Sequence, residues 1–120
     1  MSDQDQPAGE LSLRITRPVP TTVILHVDGD LDLLTAPSLD GEITKLLTDA
    51  AGVLILDLSG VPFFGSSALA VLIRAAEAAG TRGIELLLVA SNRAVLRPLE
   101  VTRTAELFRI HESVEAALGG

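Results

Sequence analysis

A chain of 120 residues, 48% of them apolar and none of them cysteine, is long enough for one domain with a full core, and it excludes disulfides and thiolate metal sites. The formal charge is −7, and the basic residues are one lysine, Lys45, and eight scattered arginines, which argues against a nucleic-acid partner and for a protein partner with basic surface. No apolar run approaches the ~20 residues of a membrane span, the polar acidic start is unlike a signal peptide, and the expected location is the cytoplasm.

Residues 1–10 are polar, with Pro7 and Gly9, and read as a disordered tail ahead of one domain over 11–120. Leu11, Leu13 and Ile15 alternate with polar residues and predict a half-buried first strand. A turn is expected from Arg17 to Pro20. Thr22–Val27 is richer in branched residues and predicts a more buried second strand. Asp28, Gly29, Asp30 and Asp32 crowd the next loop. Such residues make an ordinary solvated turn; a calcium loop would need further oxygen ligands where Leu31, Leu33 and Leu34 stand, so no metal site is expected. Thr35 is the expected N-cap of a helix running to about Thr48, with Pro37 tolerated in its first turn.

Val53–Leu58 is a short apolar run interrupted by Asp57, the pattern of a buried strand. Ser59, Gly60 and Pro62 supply turn chemistry. Beyond Gly65 the apolar period lengthens to a helical one through Leu69, Leu72, Ile73 and Ala76, with Gly80 expected to end the helix. Ser66 and Ser67 stand where loop becomes helix. Ser66 is expected to cap the first turn, leaving Ser67 at the first helical position to point outward. A hydroxyl there also suits phosphorylation or an anion, because a helix N-terminus favours negative charge. Ser67, Val71, Arg74 and Ala78 recur at intervals of three and four and form a stripe beside it, while Val71 and Ala78 are equally readable as core in so apolar a helix. Arg74 is the candidate to pair with a partner's carboxylate.

Ile84–Ala90 is a fourth, apolar strand. Ser91 or Asn92 is expected to cap a short helix that carries Val95, Leu96 and Leu99 and is interrupted by Pro98. Leu107–Ile110 is a last strand and Glu112–Leu118 a terminal helix. Alternating strands and helices after an initial hairpin predict an α/β fold on a mixed sheet of four to five strands.

Enzyme chemistry finds little support. Gly65-Ser66-Ser67-Ala68-Leu69 lacks the second glycine of a nucleophile elbow. His26 lies within a strand and reads as structural, and His111 falls near the C-terminus. Asp57 ends a strand as a phospho-accepting aspartate would, but lies before the turn and has no lysine near it. Neither a G-K-S/T phosphate loop nor G-x-G-x-x-G occurs, and no cofactor is expected.

Two segments together resemble a known family. Asp57-Leu58-Ser59-Gly60-Val61-Pro62-Phe63-Phe64-Gly65-Ser66-Ser67-Ala68-Leu69 is similar to the D-L-S-x-V-x-F-x-D-S-S/T-G-L motif of STAS-domain anti-anti-sigma factors, the anti-sigma factor antagonists of bacteria. Gly29-Asp30-Leu31-Asp32-Leu33-Leu34-Thr35-Ala36-Pro37 is similar to their G-E-L-D-x-x-T-A-P. The resemblance spans about Leu11 to Leu118. It implies a single STAS-type domain with helices largely on one side of the sheet, no enzymatic activity of its own, and a place in transcription regulation by partner switching.

In that family the second hydroxyl of the motif is phosphorylated by a partner that is both anti-sigma factor and serine kinase, and a phosphatase reverses the step. The resemblance places this role on Ser67, with Ser66 as second choice. The docking surface then takes in Asp30, Asp32, Thr35, Gly65 and Ser66 beside the acceptor, with Val71 and Arg74 along the helix. Phosphate adds about −1.5 to −2 charges near Asp28, Asp30 and Asp32 and opposes docking. Gly65 replaces the family's aspartate and Ala68 its glycine, so partner binding is carried over more directly than phosphorylation. The alternatives are a STAS scaffold or small-ligand-sensing subunit that is not phosphorylated and, more distantly, a small serine hydrolase or phosphotransfer enzyme.

Overall fold

The computed structural model describes residues 11–49 and 52–119; the expected tail over 1–10 lies outside them. Strands β1 (Ser12–Val19) and β2 (Thr22–Asp28) form the initial hairpin. Helix α1 (Ala36–Asp49) then leads to β3 (Val53–Gly60), and α2 (Ser66–Arg82) to β4 (Glu85–Val89). Helix α3 (Arg93–Val101) and a single 3-10 turn at Ala105–Leu107 precede β5 (Arg109–His111) and α4 (Val114–Gly119). The sheet order is β1-β2-β3-β4-β5, antiparallel for the first pair and parallel for the rest.

This order decides where the helices go. Successive parallel strands are added in one direction, and crossovers of one hand then put their helices on one face. The main core accordingly joins Leu25, Leu56 and Leu88 of the sheet to Leu39, Leu72 and Leu99 of α1, α2 and α3. The alternate strand positions Ile24, Ile55, Leu87 and Val89 face the other way, where Ala117 and Val114 of α4 pack on them. Being covered on both faces is why β2, β3 and β4 read as nearly unbroken apolar runs.

The structure departs from expectation at three boundaries. Strand β1 continues through Arg17 and Pro18 to Val19, where a turn was expected. It is an edge strand whose register shifts between Thr16 and Val19, and such a place tolerates the missing proline N–H. Helix α2 runs past Gly80 and ends at Gly83, whose φ of 71° is left-handed; Ile84 N–H closes the end on Ala79 O at 2.9 Å. Leu107 belongs to the 3-10 turn rather than to the last strand.

Candidate functional site

The chain leaves β2 and β3 at the same end of the sheet, the carboxyl end of the parallel strands, and the two exit loops are laced together. Gly29 N–H donates to Gly60 O (3.0 Å), Leu31 N–H to Phe63 O (2.8 Å) and Gly65 N–H to Leu31 O (2.8 Å). Leu31 and Phe64 form a parallel bridge, and both side chains are buried. Gly60 permits the approach, since a Cβ there would overlap the Asp28 carboxylate. The acidic loop therefore lies directly against the segment that starts α2.

Asp32 organises the first loop. Its Oδ1 accepts from Leu34 N–H and Thr35 N–H, both at 3.0 Å, and its carbonyl accepts from Ala36 N–H at 2.9 Å. These bonds cap the turn that leads into α1. Thr35 keeps the expected N-cap position, its carbonyl accepting from Ser38 N–H (3.0 Å) and Leu39 N–H (3.3 Å), but its side chain does not cap the helix. The Thr35 hydroxyl turns back instead, donating to Asp30 O (2.8 Å) and accepting from Asp32 N–H (2.9 Å). Thr35 is buried, so it shapes the expected docking surface from beneath and offers no side chain to a partner. Asp28 and Asp30 remain exposed.

The cap of α2 is shifted by one residue from the expected Ser66. Gly65, extended at φ −95° and ψ 177°, is the N-cap, and no side chain caps the helix; its carbonyl accepts from Ala68 and Leu69 N–H at 3.1 Å. Ser66 is therefore the first helical residue rather than the cap, and Ser67 the second. Ser66 is exposed and Ser67 half-buried. Ser67 opens into a shallow groove of ≈ 320 Å³ that it lines with Leu33, Pro37, Asp40, Ala70 and Arg74. Val71 is only 2% exposed and forms the groove's floor, so its core reading is the one the structure supports. Arg74 already has a partner within the chain, Asp40 of α1, at 3.4 Å. Both groups are exposed, a setting in which an ion pair is readily exchanged.

Three large side chains at this end escaped the sequence reading. Leu33, Leu34 and Phe63 are 76%, 70% and 52% exposed. A signal was present in the acidic loop, which holds three leucines when Leu31 alone fills the core position.

Polar ties brace the loops from behind. Across β1, β2 and β3, His26 Nδ1–H donates to Asp57 Oδ2 (2.8 Å) and His26 Nε2 meets Thr16 Oγ1 (3.0 Å). Asp57 Oδ1 accepts from the Ser59 hydroxyl (2.6 Å) and Ser59 N–H (3.1 Å). Burial pushes the Asp57 carboxyl up, but the bonds from Ser59 and His26 together outweigh it and hold the group below its ordinary value. Asn92, ahead of α3, donates from Nδ2 to Val61 O at 2.8 Å. Among the described residues no group of three or more His, Asp and Glu side chains is placed to hold a metal, and no described helix is long and apolar enough to cross a membrane.

A mixed five-stranded sheet with a hydroxyl-bearing helix start laced to an acidic loop defines a recognisable class. The chain belongs to the STAS domain family, whose model matches residues 13–117. It is similar to the anti-sigma-F factor antagonist RsfA of Mycobacterium tuberculosis, 32% identical over 100 residues that cover 82% of this chain and 78% of that protein. It is also similar to the anti-sigma-F factor antagonist RsfB of the same organism, 31% identical over 97 residues, covering 81% and 79%. The crystal structure of an anti-sigma factor antagonist from Mycobacterium paratuberculosis superposes with a TM-score of 0.79 at 26% identity, covering 91% of this chain and 92% of that one.

Proposed function

We propose that this chain is a cytoplasmic anti-sigma factor antagonist. It binds an anti-sigma factor with serine-kinase activity through the laced loops and the start of α2, and so releases a sigma factor. Phosphorylation of Ser67 by that partner ends the interaction, and a phosphatase restores it. The observation that carries this reading is the position of Ser67 in the first turn of α2, opening into a surface groove beside a loop joined to it by main-chain hydrogen bonds. A helix start tolerates the added negative charge, so the modified domain stays folded while its docking surface changes. Intact mass after incubation with an anti-sigma kinase and ATP tests the switch. One phosphate on the wild type and none on Ser67→Ala is the expected result; an unmodified wild type that still binds the kinase would leave the antagonist and remove the switch.

A second reading is favoured by one position. Gly65 stands where the motif usually has aspartate, and the Phe63 ring edge lies 3.2 Å from where a Cβ of residue 65 would sit. An acceptor site with an aromatic wall in place of a carboxylate suits a docking module that binds without being phosphorylated.

A further inference from the structure

We infer that the docking surface binds through an apolar clamp, Leu33 and Leu34 of the acidic loop and Phe63 of the loop that leads into α2, and that its partner presents an apolar pocket rimmed by Lys or Arg. This rests on the antagonist reading above and assigns the residues that give it affinity.

The three side chains are among the most exposed large apolar groups of the described chain. None is required by the core, because the neighbouring Leu31 and Phe64 already occupy the buried positions of the two loops. The polar candidates are mostly engaged within the molecule. Asp32 Oδ1 holds two loop N–H groups, Thr35 is buried, and Arg74 faces Asp40. What remains outward is these three apolar groups, with Ser66 and the acidic Asp28 and Asp30 exposed beside them in the chain. An apolar centre inside a charged rim is the usual anatomy of a protein interface, and bulky anchors at the centre carry most of the affinity. The acidic rim and the net charge of −7 select basic groups on the partner's edge. The loops are already fixed by main-chain bonds, so little ordering is needed on binding.

The clamp also gives Ser67 a second way to act. Leu33 lines the groove that Ser67 opens into, and the Phe63 ring edge lies 3.2 Å from where a Cβ of Gly65, two residues before Ser67, would sit. A phosphate in this apolar setting would have to shed water for the apolar surfaces to meet, which opposes docking independently of the charge of the acidic loop.

The test uses the full chain and a panel of purified recombinant anti-sigma factor kinases. From it, the kinase that wild type binds most tightly is the probe, titrated calorimetrically against Leu33→Ser, Leu34→Ser, Phe63→Ser and Asp30→Asn. Each apolar variant is expected to bind at least about tenfold more weakly, and Asp30→Asn only about twofold. Thermal midpoints should match wild type, since the replaced groups are exposed. Phe63→Trp gives a second readout, because the chain contains no tryptophan: its emission should shift to the blue when the kinase is added. Wild-type binding with the Leu33, Leu34 and Phe63 variants undiminished and no blue shift would overturn the clamp and leave the antagonist reading standing. Failure of wild type to bind any member of the panel would overturn both.

Discussion

At the residue scale, the site depends on side chains that hold the loop backbone in place. Asp32 satisfies two backbone donors of the acidic loop through one carboxylate oxygen. Replacing it with alanine should cost about 1 kcal/mol, the usual penalty for losing a capping side chain, and Asp32→Asn much less; urea unfolding of both variants measures this. Asp57 performs the corresponding task for the second loop, gripping Ser59 from the strand. Its carboxyl is held below the ordinary 3.8, so it binds its proton more weakly in the folded chain than in the unfolded one. The stability it contributes is complete above that ordinary value and is lost as pH falls through the lower folded value. Wild type should therefore exceed Asp57→Asn in urea midpoint near pH 6, and the gap should shrink as pH approaches about 3. The sequence showed that Asp57, Asp32 and Thr35 sit at loop ends, but not the division of labour among them. Which of two oxygen-bearing residues in one loop caps its turn depends on where the backbone points, and that is set by the lacing to a segment about thirty residues away.

At the scale of elements, α2 shows what periodicity can and cannot locate. The apolar spacing of Leu69, Leu72, Ile73 and Ala76 places the helix correctly, although its buried face turns toward Ala68, Val71 and Ala75 and leaves Ile73 and Ala76 half-buried. It does not choose between two glycines for the end. Gly80 lies inside the helix with nothing within 4 Å of an added Cβ, whereas Gly83 has a φ of 71°. Gly80→Ala should thus stabilise the chain by about 0.5–1 kcal/mol through helix propensity, and Gly83→Ala should destabilise it by about 1–2 kcal/mol through left-handed strain. Opposite signs in thermal unfolding would confirm the assignment; the reverse pattern would mean that the helix ends at Gly80. Strand β1 shows the same limit. Pro18 reads as a stop signal along the sequence, yet it is harmless at a sheet edge, and edge position follows from strand order rather than from local composition. The start of α2 was legible as a place and not as a register. Serine is so common a cap that Ser66 was the natural choice, while Gly65 performs the role by backbone alone.

For the whole molecule, the fold separates what must stay rigid from what must change. Strands β2, β3 and β4 are buried on both faces along most of their length, and the laced loops emerge from one end, braced by the Asp57–Ser59 grip and the Asn92–Val61 bond. The two family motifs were legible because each is a loop with fixed turn chemistry. The apolar clamp was not, because Leu33, Leu34 and Phe63 differ from core residues only in the direction they face. That direction bears on how a charge at the proposed acceptor would act. Repulsion between Ser67→Asp and the exposed Asp28 and Asp30 is screened by salt, over about 8 Å at physiological ionic strength and about 3 Å at 1 M. The cost of drying a carboxylate beside Leu33 in the groove is not screened. If the clamp is the larger effect, Ser67→Asp should bind the anti-sigma kinase weakly at both ionic strengths while keeping the thermal midpoint of wild type. Calorimetric titration decides the matter: recovery of wild-type affinity in 1 M salt would assign the switch to the acidic loop, and persistence of the loss would assign it to the apolar surface around Ser67.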